Sequence, residues 1–346
     1  MTAAAASRPV PDTHWEMYWQ ALAAGDDAGA VRVALELVDQ GTSLVDVLDG
    51  LISAGQRRVG RLWAANEWNV AQEHRATSVS EEVVAALTAR IDTPRTGGRV
   101  VVTCVDGEWH ALPSRVVAAV LREAGWQVHF LGASVPVAHL TQFLQDSGPD
   151  VTALSCSLPT ALPRARQMIE ASRQMGVPVI AGGAGFGPSG RWALALGANG
   201  TAADARGALA TLRSGDWPVY TDPAPPRPAP DSSAEALRRR RREVATAANR
   251  RLWARWPAME SYDERQLERT EEDLGYLVDF LGAALFVDDV ELYTGFVGWM
   301  AGILEARGVP RAALTAGLEV TREAVTELLG ELPRAARFLQ AGLSSV

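Results

Sequence analysis

Cysteine is scarce in this chain: 346 residues hold two, Cys104 and Cys156. Two thiols cannot build the disulfide framework of a small secreted domain. Both fall in or at the end of apolar, strand-like runs, so they read as small buried side chains. Histidine is nearly as sparse, with His14, His74, His110, His129 and His139 and none beyond. That excludes ordinary His-ligated haem from the last third, and the lack of cysteine there excludes a thioether-linked bilin. No apolar run reaches the length needed to span a bilayer, and residues 1–9 lack the core of a signal peptide, so a cytoplasmic location is expected. Excess positive charge is missing as well: the net charge of −8 argues against nucleic acid and anionic membranes as partners. Kinase, cyclase and phosphodiesterase motifs are absent, so any signal passes through a separate partner or self-association.

What is present is an ordinary globular composition, 47% hydrophobic and 21% charged, with length for two or three domains. Residues 11–92 read as four helices in a small bundle. Asp12 or Thr13 is expected to cap the first, which carries Trp15, Tyr18, Trp19 and Leu22 on one face. Ser43 caps the third, and Asn69 with Gln72 forms a capping box that places Glu73 and His74 just past the first turn of the fourth. From 98 to 216, strands alternate with helices. Strands are expected at 100–105, 127–131, 151–155, 177–181 and 200–202, with helices at 114–124, 137–147, 161–175 and 190–196. This alternation predicts a parallel, doubly wound sheet. Residues 217–233 are a Pro-rich linker, and 234–346 are helical again.

The chain's chemistry centres on Asp106-Gly107-Glu108-Trp109-His110-Ala111-Leu112-Pro113. The loop follows an apolar strand and precedes a helical stretch, and ligands of parallel sheets meet the chain at the carboxyl ends of strands. An imidazole with a carboxylate two residues before it suits a metal ligand whose outer nitrogen is oriented by a hydrogen bond. The bland alternative is a solvated loop histidine.

Further residues carry a resemblance. Glu108-Trp109-His110, then Ser155-Cys156-Ser157-Leu158, then Gly182-Gly183 resemble the E-x-H, S-x-L and glycine-pair pattern of Rossmann-like (flavodoxin-like) cobalamin-binding domains. The resemblance implies that cobalamin binds with its dimethylbenzimidazole displaced into the sheet. It implies His110 as the lower axial ligand of cobalt, Glu108 as its partner, and Ser155, Ser157, Gly182 and Gly183 around the inserted tail. Two departures stand out: Ser157 where the pattern has Leu, and Pro113 where it has Gly. In the bundle, Trp63 followed after nine residues by Glu73-His74 is similar to the W-x9-E-H cap of B12-dependent photoreceptors. That implies adenosylcobalamin, with Trp63 and Val70 beside the adenosyl group and the Glu73–His74 pair next to it. The alternative is that Trp63 anchors the bundle core and His74 is a solvated helix residue. Ala64 departs from relatives in which a histidine at that place binds cobalt after light, which puts a two-histidine product made that way in doubt. Their DNA-binding domain is not expected here, since no segment ahead of Thr13 could hold one.

The last third holds nine aromatics between Trp253 and Trp299, which fit either a small helical core or a pigment site. Arg238 to Arg242, Arg250, Arg251 and Arg255 would serve as partners for a bilin's propionates, if they are not simply a solvated face. The whole layout resembles the photocobilins, which pair B12 with a non-covalent bilin such as biliverdin. That implies a globin-like all-α domain and a light-sensing signalling protein, not an enzyme. The competing readings are a corrinoid methyl carrier of a methyltransferase system and a binding-only partner-docking module.

Overall fold

The computed structural model describes residues 9–215 and 232–346. The chain divides into two compact units, the first ending at residue 223. The expected Pro-rich linker lies outside the described residues, save its last two positions, which open the first helix of the second unit.

The first unit begins with helices α1 (Asp12–Ala24) and α2 (Asp27–Asp39). Asp12 is already the first helical residue of α1, and Pro11 takes the capping place with no side-chain bond, so neither Asp12 nor Thr13 acts as the cap. Tyr18, Trp19 and Leu22 are buried as their spacing requires. Gly25, in the left-handed region at φ 74°, ends α1. The third helical stretch runs through α3 (Leu44–Val47), a π-helical turn at Leu48–Ser53, and α4 (Ala54–Ala64). Ser43 caps α3 by accepting from the Asp46 amide. The helix α5 (Val70–Ala89) opens on the complete Asn69–Gln72 capping box.

Five strands follow: β1 (Arg99–Cys104), β2 (Gln127–Gly132), β3 (Val151–Ser155), β4 (Val179–Gly182) and β5 (Gly200–Ala202). They form one parallel sheet in the order β2-β1-β3-β4-β5. Connecting helices are α6 (Leu112–Glu123), α7 (Val137–Ser147), α8 (Leu162–Gln174), α9 (Arg191–Ala195) and α10 (Ala205–Ser214). The order switches direction beside β1, and the loops after β1 and β3 open there, where ligands of such sheets bind. The bundle packs on α6: Leu112, Val116, Ala119 and Val120 join the bundle's own hydrophobic cluster. The helix led by the His110 loop is therefore also the helix that seats the bundle. An Asp46–Arg206 ion pair at 2.7 Å adds a second tie, from α3 to α10.

The second unit consists of α11 (Ser232–Arg255), α12 (Glu264–Val287), α13 (Val290–Ala306), α14 (Arg311–Leu329) and α15 (Pro333–Leu343). Its core includes Tyr293, Phe338, Leu339, Leu281 and Leu318. Asp273 of α12 is half-buried, and that burial pushes its carboxyl up to about 6, with Glu272 adding to the effect and Arg269 and Arg307 opposing it. A carboxyl whose folded pKa is raised favours the protonated fold, so its contribution is full below the ordinary value and is lost as pH rises through about 6. Asp273→Asn should therefore stabilise this unit by about 1–2 kcal/mol at pH 8 and leave it unchanged near pH 4. Urea titrations at the two pH values check this. Among the described residues, no helix is long and apolar enough to cross a membrane.

Candidate functional site

The site is built where β1, β3 and β4 end. Glu108 is its structural hub, with 2% of its surface exposed although it is an acid. One carboxylate oxygen, Oε1, accepts from the His110 backbone N–H at 2.9 Å and lies 2.5 Å from His110 Nδ1. The other, Oε2, accepts from the Ser157 amide at 2.7 Å and the Leu158 amide at 3.2 Å. One side chain thus ties the loop after β1 to the loop after β3. Burial alone would raise the carboxyl's pKa, but these bonds, led by that to His110, hold it below the usual carboxylate range. His110 is shifted up in turn, first by its bond to Glu108 and against partial burial.

With Nδ1 taken by Glu108, the ring nitrogen left to His110 for a metal is Nε2, on a side chain that is 60% exposed. This is the arrangement in which a carboxylate fixes the tautomer and strengthens the imidazole as a donor. Among the described residues no cluster of three or more His, Cys, Asp or Glu could hold a metal. The single outward nitrogen of His110 fits a metal that brings most of its own ligands, as cobalt does in a corrin. Trp109, next to His110, and Leu158, whose amide bonds Glu108, leave apolar surface open; Val70 is likewise exposed at the start of α5. Open apolar side chains at one site are what a large, largely apolar cofactor would cover.

Pro113 is accommodated simply. It sits in the first turn of α6, where an N–H has no intrahelical partner. Ser155 ends β3, and its carbonyl accepts from the Val105 amide at 2.9 Å. The backbone around Gly182 and Gly183 leaves no room for a side chain at either position. A Cβ at Gly182 would stand 2.6 Å from the Ala202 carbonyl oxygen. At Gly183, with φ +105°, it would stand 2.3 Å from the Cys156 carbonyl oxygen. Two contributors went unread in the sequence. Ser134, at φ 51°, donates its amide to the Glu108 carbonyl and accepts the Gly107 amide on its hydroxyl. Gly185 lets its loop approach Cys156 and Leu158, since a Cβ there would meet the Cys156 sulfur at 2.6 Å. Cys104 and Cys156 are free and buried, as expected.

On the bundle, the half-buried Trp63 lies in the last turn of α4, and Val70, Glu73 and His74 lie in the first turns of α5, a short connection away. Glu73 Oε2 is 2.5 Å from His74 Nδ1, and Glu73 Oε1 accepts from the Thr77 hydroxyl at 2.9 Å. Thr77 also meets Gln56, which bonds Ser80, which meets Tyr18 in the bundle core. The helix α5 shares one hydrophobic cluster with α6, the helix that follows the His110 loop: Val79 and Val83 lie in it with Leu112 and Val116.

In the second unit, most of the arginines expected to await propionates are engaged within the unit. Arg238 and Arg239 pair with Glu235, Arg240 with Glu243, Arg241 with Asp279, Arg251 with Glu327, and Arg255 with Glu323. The aromatics divide. Tyr293 and Phe296 are buried, Phe280 stacks on Phe296, and Trp253, Tyr276 and Trp299 are about half exposed. Tyr293 carries a buried hydroxyl with no hydrogen-bond partner among the described residues.

Comparison with known proteins agrees with the first unit's geometry. A B12-binding domain model matches residues 98–213, and a second B12-binding domain model matches residues 15–88. These residues make up a cobalamin-binding module: a helical region followed by a five-stranded, parallel, Rossmann-like domain. Among relatives, dimethylamine corrinoid protein 1 of Methanosarcina acetivorans is 27% identical over 191 residues, covering 53% of this chain and 89% of that protein. A corrinoid protein of Desulfitobacterium hafniense is 25% identical over 200 residues, covering 55% of this chain and 91% of that protein. The solved monomethylamine corrinoid protein of Methanosarcina barkeri shares the fold, with a TM-score of 0.53 at 20% identity over 59% of this chain and all of that one. These likenesses extend to corrinoid binding. They do not reach the adenosyl group, a bilin, a globin-like second unit or light sensing.

Proposed function

We propose that this chain holds adenosylcobalamin between bundle and sheet and serves as a light-responsive signalling protein, not an enzyme. The observation that carries this is the grouping of Trp63, Val70, Glu73 and His74 at the end of α4 and the start of α5, the helix that packs in one cluster with α6 behind the His110 loop. Adenosylcobalamin, when bound, supplies a cobalt–carbon bond that light breaks. In this reading His110 holds cobalt from below, while Ser155, Ser157, Gly182 and Gly183 border the displaced nucleotide tail. Trp63 and Val70 offer an apolar wall to the adenine, and Glu73 accepts from the ribose hydroxyls. When the adenosyl group goes, those side chains lose their contacts and the bundle's preferred seating on α6 shifts, as a ligand that binds two states differently requires. The second unit, read as globin-like, would hold a bilin such as biliverdin without a covalent link. Its aromatics support this, and the arginine pairs weaken it. The output partner would be a separate protein or a second copy, in the cytoplasm.

A second reading has its own support. The relatives named above are corrinoid proteins, two of them named for methylamines. They favour a corrinoid methyl carrier serving a separate methyltransferase more directly than any relative favours light sensing. One experiment separates the two. The full chain is titrated with adenosylcobalamin and with methylcobalamin, then illuminated with green light while absorbance and elution volume are followed. Light sensing predicts at least about tenfold tighter adenosylcobalamin binding, abolished in Trp63→Ala, and a change in size on illumination. The methyl carrier predicts a preference for methylcobalamin, indifference to Trp63→Ala and no change in size. Protein that stays colourless with both defeats both readings. A red-shifted bound pigment after incubation with biliverdin supports the bilin, and its absence removes it.

A further inference from the structure

Among the described residues, the non-glycine positions with a left-handed backbone are Asn66, Ser134, Ser189 and Asp288. Asparagine and aspartate enter that region readily, whereas serine does so at a cost that glycine avoids. Ser134, at φ 51°, lies in the connection between β2 and α7, and its amide and hydroxyl both go to the loop after β1. The amide N–H donates to the Glu108 carbonyl at 3.0 Å, and the hydroxyl oxygen accepts from the Gly107 N–H at 3.1 Å. The same loop is held from α8, where Met168 Sδ accepts from the Asp106 N–H at 3.2 Å and Arg164 donates to the Asp106 carbonyl at 3.3 Å. Neither Met168 nor Arg164 has a left-handed backbone; Ser134 does. The Gly107 bond is at the surface, where water would satisfy the same N–H, so the hydroxyl adds little to stability. What water cannot supply is a fixed place for residues 107 and 108, from which the Glu108 carboxylate reaches His110 Nδ1 at 2.5 Å. A strained residue whose bonds both serve one functional loop is the pattern of a site that gives up stability for geometry.

We propose that Ser134 is a positioning residue for the cobalt ligand: from the loop after β2 it fixes the turn at Gly107–Glu108, and through Glu108 it sets the direction in which His110 offers Nε2. The serine is kept in a left-handed conformation because its hydroxyl is needed there, at a place where glycine would leave the fold at least as stable. The route is short. Ser134 bonds the Gly107 and Glu108 backbone, and the Glu108 side chain bonds His110. An imidazole whose carboxylate partner has moved is no longer held in one orientation. With the turn displaced, the ring is poorly aimed and competes less well with the cofactor's own dimethylbenzimidazole. The inference rests on His110 as the lower ligand, and it holds for a light sensor and a methyl carrier alike.

The test compares the full chain with Ser134→Gly and Ser134→Ala, each carrying histidine labelled with the heavy, spin-one-half isotope of nitrogen. Each is titrated with hydroxocobalamin, and the loaded protein is then reduced to cobalt(II). In its electron paramagnetic resonance spectrum a protein imidazole splits the cobalt lines into doublets and the cofactor's own unlabelled base splits them into triplets. Wild type should show doublets. Both variants should bind about three- to tenfold more weakly, the worth of one hydrogen bond, and should show triplets beside the doublets. Urea titrations of the apo proteins complete the test. Ser134→Gly should unfold at a urea concentration no lower than wild type, and Ser134→Ala, which keeps the strained backbone, should unfold below Ser134→Gly. Variants with wild-type affinity and doublets alone overturn the inference. So does a fall in affinity with the doublets unchanged, which would assign Ser134 to the fold and not to the aim of the ring. A Ser134→Gly midpoint below wild type overturns it as well, since the serine would then be kept for stability. If wild type itself shows no doublet, it is the reading of His110 as ligand that falls.

Discussion

His110→Ala should cost at least about a hundredfold in corrinoid affinity. The figure follows from what is removed. Loss of a partner that merely orients a metal-bound histidine typically costs ten- to a hundredfold, so loss of the ligand itself should cost no less. A hundredfold is about 2.7 kcal/mol. The apo fold should survive with little change, and the reason is visible around Glu108. The buried carboxylate would lose one of its donors, Nδ1, yet keep the backbone amides of position 110, Ser157 and Leu158. Three amides are enough to keep a buried carboxylate ionised. The expected loss of stability is about 1 kcal/mol. Two measurements check this: a corrinoid titration followed by absorbance, and a urea midpoint on the apo protein. Any residual binding should lack imidazole ligation in its spectrum until free imidazole is added. An affinity unchanged in His110→Ala would show that the ring is a solvated loop residue after all.

The sequence could reveal His110 because its signal is local. A carboxylate two residues away, after an apolar strand, is a pattern within one loop. The same holds for most of the secondary structure. Val151–Ser155 and Val137–Ser147 form where apolar spacing and flanking glycine or proline demand, and the Asn69–Gln72 box opens α5 at the expected place. What could not be read is what depends on approach in space. The Glu108 bonds to Ser157 and Leu158 join residues about fifty positions apart, and no spacing rule announces them. The close approaches at the glycine pair were not legible, because the Ala202 and Cys156 carbonyls that exclude a Cβ belong to other segments. The π-helical turn at Leu48–Ser53 hides inside an ordinary apolar helix pattern. The helix α10 was missed although its signal was present: Asp204 accepts from the Gly207 amide as an N-cap should. For the arginines of the second unit a ligand-partner role and a solvated face both stayed open, because a sequence shows their number and not the glutamates of α11 and α14 that meet them.

Glu108 is where stability and binding meet, and its replacement should damage both. Glu108→Ala removes the acceptor for four donors at once: the His110 amide, His110 Nδ1, the Ser157 amide and the Leu158 amide. Each buried donor left without a partner costs about 1–3 kcal/mol, but water entering the vacated space recovers part of that. A net loss on the order of 3 kcal/mol is expected for the apo protein, large beside the 5–15 kcal/mol that a domain typically has. Corrinoid affinity should fall a further ten- to a hundredfold in molecules that remain folded, because His110 is no longer held in one tautomer. Glu108→Gln separates the two effects. It keeps the volume and one acceptor oxygen but presents an amide N–H₂ where the other two donors point. If that oxygen stays with His110, affinity recovers more than stability; if it stays with Ser157 and Leu158, stability recovers more than affinity. Urea midpoints for the apo proteins, read beside corrinoid titrations of the same samples, distinguish these outcomes. A Glu108→Ala protein as stable as wild type would mean that the loops after β1 and β3 hold their places without the carboxylate. The site's geometry would then have to come from the packing of α6 against the bundle.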